Sequence, residues 1–234
     1  MKAMLISDLI IMRKYLIQQS AIGLVLGIVL AFVMENPFVI TPLIGVMVAV
    51  TCSFTVLALD ERNGWEKYRL ALPLSRANVV VGRYASLAVA TLVGFAVGFV
   101  ASAVVLTFAT MPAMGAVGIE RLAADHVIWG SLAIASSFGL VIVSVMLSVM
   151  LPLALRFGMT KAVRFVPAIV IVAALIALAA SQTGGAEGIV TFIESAYRSS
   201  FGVAGLAVGA VAIAVALYAA SAAIAAKLYE AREL

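Results

Sequence analysis

Charged residues are scarce in this 234-residue chain. Asp, Glu, Lys and Arg make up 11% of it, 65% of the residues are apolar, and the mean hydropathy is +1.21. Soluble domains carry about 25% charged residues, so the composition excludes a water-soluble globular protein. Cys52 is the single cysteine, which excludes a disulfide within the chain.

The chain also has little of what enzymes use. His126 is the single histidine, whereas a zinc site needs three or four ligands and a serine nucleophile needs a base within reach. No lysine directly follows a glycine, which excludes the G-x-x-x-x-G-K-[ST] nucleotide-binding loop. We therefore predict no catalytic residue, no metal site and no cofactor, and we interpret Asp125-His126 as the outer start of a helix.

Long apolar runs fill most of the sequence. Six stretches of 20 to 36 residues contain no charged residue, and about 17 to 25 apolar residues suffice to cross a bilayer as a helix. The longest interval between them, 60–83, is too short for a soluble domain. We predict an all-α, polytopic membrane protein with one domain over 1–234. Its six spans are expected at about 16–34, 38–59, 84–109, 127–155, 165–182 and 201–226.

The basic residues indicate the orientation. If the intervals between spans alternate between the two sides, all but Arg121 and Arg198 of the 15 lysines and arginines fall on the side of the N-terminus. Cytoplasmic loops retain positive charge, which anionic lipid headgroups attract. Both termini are therefore predicted to be cytoplasmic, and the basic charge is assigned to membrane lipid and not to nucleic acid.

Two further segments are expected at the membrane surface. In the first fourteen residues and the start of span one, apolar residues recur at helical spacing opposite Ser7 and Lys14, which predicts an N-terminal interfacial helix; a frayed basic leader is the alternative. That apolar face consists of Leu5, Leu9, Met12 and Leu16. The segment 186–200 is a candidate short helix dipping into the membrane.

No ionisable residue lies within a predicted span. Such residues are costly in hydrocarbon and usually mark ion or proton paths, so a proton- or sodium-driven carrier is disfavoured. The spans do carry hydroxyl groups, which we expect to bond to helix carbonyls or across helices. A polar translocation path along them is the alternative. These hydroxyls belong to Thr51, Ser53, Thr55, Ser136, Ser137, Ser144 and Ser148.

Three G-x-x-x-G pairs occur, in spans one, three and six. Small residues at this spacing let two helices approach closely. We expect them to serve packing within the chain first and a dimer contact second. The pairs are Gly23/Gly27, Gly94/Gly98 and Gly205/Gly209.

The interval between spans two and three is the most patterned polar stretch. Asn63-Gly64 predicts a turn, after which Trp65, Tyr68 and Leu72 share one face of a short helix. Pro73 ends that helix, and Ser75 is placed to cap the next one. Such a helix fits two interpretations equally: contact with a partner, or an anchor in lipid headgroups.

This interval carries a family resemblance. Asp60, Glu61, Arg62, Asn63, Gly64 and Trp65 are followed by Tyr68, by Leu72-Pro73-Leu74-Ser75-Arg76, and by Arg83-Tyr84 at the start of span three. The pattern is similar to that of the small permease subunits of bacterial type 2 ATP-binding-cassette (ABC) exporters. Six spans, cytoplasmic termini and an N-terminal interfacial helix agree with it across nearly the whole chain.

The resemblance implies a role for the segment 60–76, which we name the coupling loop. It implies that a helix within this loop docks on a separate cytoplasmic ATPase subunit, which binds the ATP. It also implies that two permeases, identical or different, and two ATPases work together in a bacterial inner membrane. The apolar and hydroxyl character of the spans favours an amphipathic or apolar substrate, such as a peptide, lipid or drug-like compound.

One alternative belongs to another functional class. A membrane protein that transports nothing could confer immunity by binding an antimicrobial peptide outside the cell. It predicts protection that persists when the neighbouring ATPase is inactive, whereas an exporter loses it. An intramembrane enzyme is disfavoured by the lack of acids and histidines in the spans.

Overall fold

A computed structural model describes residues 2–34, 37–65, 75–109, 127–162, 164 and 202–230, together with the single positions 179, 188, 191 and 195. The described helices are α1 (Lys2–Met34), α2 (Ile40–Asn63), α3 (Arg76–Ala109), α4 (Val127–Phe157) and α5 (Gly202–Glu230), with a short 3-10 turn at Pro37–Val39 before α2. All five helices are long and apolar enough to cross a membrane, and no strand occurs among the described residues.

The all-α prediction is thus confirmed for the described part of the chain. The spans expected at 16–34, 38–59, 84–109, 127–155 and 201–226 each correspond to one helix. The span at 165–182 and the segment 186–200 lie outside the described residues, apart from single positions. α4 begins at Val127, directly after Asp125-His126, as expected for a helix start.

The N-terminal segment differs from expectation. The residues predicted as an interfacial helix are the first part of α1, which continues without a break to Met34. No proline or glycine occurs before Gly23 to interrupt it. Met4, Asp8 and Met12 are buried, while Ile10 is 69% exposed. The N-terminal half of α1 is therefore packed against the other helices along one side.

α1 and α2 form the antiparallel hairpin that their short connection predicts. A Cβ added at Gly23 would lie 3.0 Å from the Ile44 side chain, and one at Gly27 would lie 2.9 Å from that of Ile40. The later glycine on α1 thus contacts the earlier isoleucine on α2, which shows that the two helices are antiparallel. This glycine pair therefore packs inside the chain, as predicted.

α2 and α3 approach equally closely. A Cβ at Gly94 would lie 2.9 Å from Val48, and one at Gly98 would lie 2.8 Å from the backbone of Thr41. Near this contact the hydroxyl groups of Thr41 and Ser102 share a buried hydrogen bond of 2.8 Å. The second glycine pair is thus also internal.

The third pair, on α5, is different. A Cβ at Gly209 would meet no described atom within 4 Å, and Gly205 is half-buried. α5 presents a largely apolar, exposed surface, including Val208 at 69% exposure and Val215 at 62%. Packing among the described helices therefore does not account for Gly209.

α4 and α5 run parallel to each other. Gly130 at the start of α4 lies against Val203 at the start of α5, and Ser221 near the end of α5 donates a 2.9 Å hydrogen bond to the carbonyl oxygen of Ser148. The last turns of α2, α4 and α5 meet the beginnings of α1 and α3 at one end of the bundle. We call this the charged end, defined by Asp8, Asp60, Glu61, Arg83 and Thr160.

Most hydroxyls singled out in the sequence bond as expected. Ser53, Thr55, Ser136 and Ser137 each donate to the carbonyl oxygen four residues earlier, at 2.7–2.8 Å. Ser148 donates across helices to the carbonyl oxygen of Leu217. These hydroxyls thus find their acceptors among helix carbonyls, as polar side chains in apolar helices generally do.

Candidate functional site

The coupling loop starts within the last turn of α2, which ends at Asn63. Gly64 adopts the left-handed conformation, with φ +64°, and its N–H bonds to the carbonyl oxygens of Asp60 and Glu61. This conformation favours glycine and closes the helix. The turn predicted at Asn63-Gly64 is therefore confirmed, and it leaves Trp65 39% exposed, with Arg62 and Asn63 also on the surface.

The loop ends where α3 begins. The Ser75 hydroxyl accepts a 3.3 Å hydrogen bond from the N–H of Asn78, which is the geometry of an N-cap. Arg76 is the first residue of α3. The predicted cap is confirmed, whereas Tyr68, Leu72 and Pro73 lie outside the described residues, so the helix expected over 65–72 stays a prediction.

Asp60, at the root of the loop, belongs to a buried ion cluster. The Arg83 guanidinium on α3 contacts the Asp60 carboxylate through Nη2 and lies 3.4 Å, measured from Nε, from the carboxylate of Asp8 on α1. Ser86 donates a 3.1 Å hydrogen bond to the same Asp8 oxygen. The side chains of Asp8, Asp60 and Arg83 are 0%, 14% and 2% exposed. One arginine therefore joins three helices, which we call the Arg83 cluster.

The charged residues of this cluster lie next to the predicted spans 16–34, 38–59 and 84–109, not within them. Asp8 and Arg83 are nevertheless fully buried. The helices extend beyond the uncharged runs, so the charged turns next to those runs are also enclosed. Burial of a charge is tolerated when an opposite charge and hydrogen bonds compensate it, as Arg83 and Ser86 do here.

Glu61, the neighbour of Asp60, makes a different connection. Its carboxylate accepts hydrogen bonds from the Thr160 hydroxyl and, at 2.8 Å, from the Thr160 N–H. Gly158, at φ +85°, ends α4 and turns the chain so that this N–H points to Glu61. This carboxylate is exposed and lies beyond the apolar run that ends at Leu59. The hydrogen bonds from the Thr160 hydroxyl and backbone lower its pKa below the ordinary value of 4.5.

We expect Glu61→Gln to destabilise the protein by about 0.5 kcal/mol, the lower end of the range for capping groups because the carboxylate is exposed. Since the folded pKa is lowered, the wild-type contribution is present above pH 4.5 and is lost as the pH falls below that value. The difference between the two proteins, measured by unfolding in detergent, should therefore shrink with falling pH. A difference that does not depend on pH would show that the ionised carboxylate is not the acceptor.

A hydroxyl cluster lies beside the Arg83 cluster. The hydroxyl of Tyr84 shares a 2.8 Å hydrogen bond with Ser221, and the Tyr218 hydroxyl donates at 2.7 Å to the carbonyl oxygen of Tyr84. The two tyrosine rings pack with centroids 5.0 Å apart. Through Ser221 the same group reaches Ser148 on α4. Two adjacent residues therefore connect α3 to the other four described helices. Arg83 connects α3 to α1 and α2, and Tyr84 connects it to α5 and, through Ser221, to α4.

The space enclosed at the charged end is small. A cavity of about 60 Å³ lies between α2, α3 and the end of α4, with Asp60, Glu61, Arg83 and Gly158 in its wall. It has room for a few water molecules, not for a substrate. The arrangement therefore acts by holding helices together at the root of the coupling loop.

Only part of these contacts is indicated by the amino-acid sequence. Arg83-Tyr84 was part of the motif, but nothing in its spacing identifies Asp8, Ser221 or Thr160 as partners. Asp8 is the single acidic residue before Glu35 and lies four residues from both Met4 and Met12, on the face that the structure buries. A lone acid on an apolar helix face was the one available sign of a buried partner.

Residues 3–230 match the family model described as ABC-2 family transporter protein. No match is found among the curated proteins or among the solved structures. Apart from Lys2, the matched residues include all five described helices and the coupling loop. With several apolar helices and this match, the chain is a multi-pass membrane protein that belongs to the ABC-2 family of transporters.

Proposed function

We propose that this chain is the permease subunit of a bacterial ABC exporter and that the coupling loop docks on a separate cytoplasmic ATPase. In this proposal two permeases and two ATPases form the transporter, and the charged end faces the cytoplasm. ATP binding brings the ATPases together and displaces the coupling loop. The loop then moves the helices that it joins and opens a path between the permeases.

The observation that carries this proposal is the anchoring of the loop root. The two acids that precede the Gly64 turn bind in two directions, Asp60 to Arg83 and Glu61 to Thr160. A loop that only touched lipid would not need a root bonded both to α3 and to the segment that follows α4. A force applied at Trp65 is expected to reach the bundle through these contacts.

The helix directions support six spans. α4 and α5 are parallel, with Ser148 beside Ser221 at the same depth. The chain between them must return from the end where α4 stops to the end where α5 starts. A sixth span over 165–182 provides that return and leaves both termini on one side, in agreement with the distribution of basic residues.

The substrate is proposed to be amphipathic or apolar. Serine and threonine hydroxyls in the described spans bond to helix carbonyls, and the charged residues that the structure describes lie toward one end of the bundle. The exposed surfaces of α1 and α5 are mainly aliphatic. A path between two such subunits would suit a peptide, a lipid or a drug-like compound better than an ion.

Substituting Trp65 tests the docking role. Truncation of an aromatic anchor in an interface typically costs about 2 kcal/mol or more, which is about 30-fold in affinity. We expect Trp65→Ala to weaken binding of the ATPase subunit to the permease in lipid nanodiscs by at least about that factor. ATP turnover stimulated by the permease in liposomes should fall with it.

Phe157 offers a matched control. It is an aromatic residue 46% exposed at the same end of the bundle, but it lies outside the coupling loop, against Arg156. Phe157→Ala should leave ATPase binding within about twofold, a surface effect below 0.5 kcal/mol. If both substitutions leave binding unchanged, Trp65 is a lipid anchor and the proposal is wrong.

A further inference from the structure

The Arg83 cluster connects α1 to the root of the coupling loop. Asp8 and Arg83 each lie in the second turn of their helices, α1 and α3, and Asp60 lies in the last turn of α2. α2 and α3 are already joined by the coupling loop, but α1 is connected to it in sequence only through the far end of α2. At the charged end, Asp8 provides the ionic link from α1 to this unit.

We infer that Arg83 is a positioning residue that makes the N-terminal half of α1 move as one unit with the root of the coupling loop. The planar guanidinium has five donors and can serve two carboxylates at once. Here it holds one carboxylate from α1 and one from α2 in a site that is almost closed to water. The inference rests on the proposed function, because that function supplies the displacement of the loop.

Burial makes this link stiff. If α2 moved away from α1 at this level, a carboxylate would lose its counter-charge in a region of low dielectric, where such a loss is costly. Ser86 strengthens the connection from the α3 side, because its one hydroxyl proton is shared between the Asp8 carboxylate, at 3.1 Å, and the Arg83 carbonyl oxygen, at 2.8 Å. Moving the helices together keeps every one of these contacts.

The predicted motion can be measured by distances between spin labels. In a Cys52→Ser background, which removes the single cysteine, labels are attached at the exposed positions Ser7 on α1, Ala58 on α2 and Val145 on α4. Pairs are measured in the complex with its ATPase in nanodiscs, with and without a non-hydrolysable ATP analogue. The Ala58–Val145 distance reports displacement of the loop root, and the Ser7–Ala58 distance reports whether α1 follows.

We expect the nucleotide to change the Ala58–Val145 distance by on the order of 2 Å, as in helix shifts at other subunit interfaces, while the Ser7–Ala58 distance stays constant. In Asp8→Asn the Ser7–Ala58 distance should change by a similar amount. Asp8→Glu, which keeps the charge, should restore a constant distance. Glu61→Gln removes a carboxylate next to Asp60 but outside the cluster, and should keep the Ser7–Ala58 distance constant.

Two results would overturn the inference alone: a Ser7–Ala58 distance that changes in the wild type, or one that stays constant in Asp8→Asn while Ala58–Val145 still responds. If Asp8→Asn does not fold, Ser86→Ala gives a second test, because it removes a hydrogen bond and no charge. With nucleotide bound, this variant should have a broader distribution of Ser7–Ala58 distances than the wild type. An unchanged distribution would count against the inference. If the Ala58–Val145 distance in the wild type is the same with and without the nucleotide, the proposed displacement of the loop is overturned as well.

Discussion

Arg83→Met should lower the free energy of unfolding by about 3–5 kcal/mol, the usual effect of removing one partner from a buried ion pair. Methionine fills a similar volume, so the expected loss comes from charge and not from a cavity. Asp8, which is fully buried, and Asp60 would then share a nearly dry site without the guanidinium. Unfolding in mixed detergent micelles, followed by circular dichroism, measures the change.

Three variants separate charge from size at this site. Arg62→Met removes an exposed arginine from the last turn of α2 and should change stability by less than about 0.5 kcal/mol. Arg83→Lys keeps the charge and should lose less than Arg83→Met. Adding Asp8→Asn to Arg83→Met should recover part of the loss, because one uncompensated charge is removed. Equal effects of Arg83→Met and Arg62→Met would contradict the burial of the cluster.

Gly98→Ala should destabilise the protein by about 1–3 kcal/mol, the range for overpacking a close contact. The added Cβ would lie 2.8 Å from both Cα and the carbonyl oxygen of Thr41. These are backbone atoms, so no side chain can rotate away, and α2 and α3 must separate. The separation would also stretch the hydrogen bond between Thr41 and Ser102.

Gly209→Ala is the matched control, because it makes the same chemical change in a pair with the same spacing. No described atom lies within 4 Å of the added Cβ, and alanine is favoured over glycine inside a helix by about 1 kcal/mol. The two substitutions should therefore have opposite signs in the same unfolding assay. A loss of stability for Gly209→Ala would show that another chain or segment covers this face of α5.

Local features of the coupling loop were predictable from the sequence. The end of α2 at Asn63-Gly64 and the start of α3 after Ser75 follow from residues that act within a few positions of themselves: a glycine with positive φ and a serine that caps a helix. The antiparallel hairpin of α1 and α2 follows from their short connection. Each of these depends on neighbours in sequence, so pattern and spacing suffice.

The glycine pairs show where such reasoning ends. All three have the same spacing, yet Gly27 and Gly98 lie against another helix while no described atom lies against Gly209. Spacing defines a small surface on one helix but does not say which helix lies opposite it. The predicted interfacial helix shows a similar limit, because an amphipathic face fits a lipid surface and a protein surface equally well.

By itself, the sequence determined that this is an all-α membrane protein, where most of its helices begin and end, and which loop resembles an ATPase contact. Hydrophobicity and capping are local properties, which a single chain segment carries. Only the tertiary structure decided that Asp8, Asp60 and Arg83 meet, and that Glu61 binds Thr160. Those contacts join residues far apart in the chain, and their energy depends on burial that arises only when the helices pack.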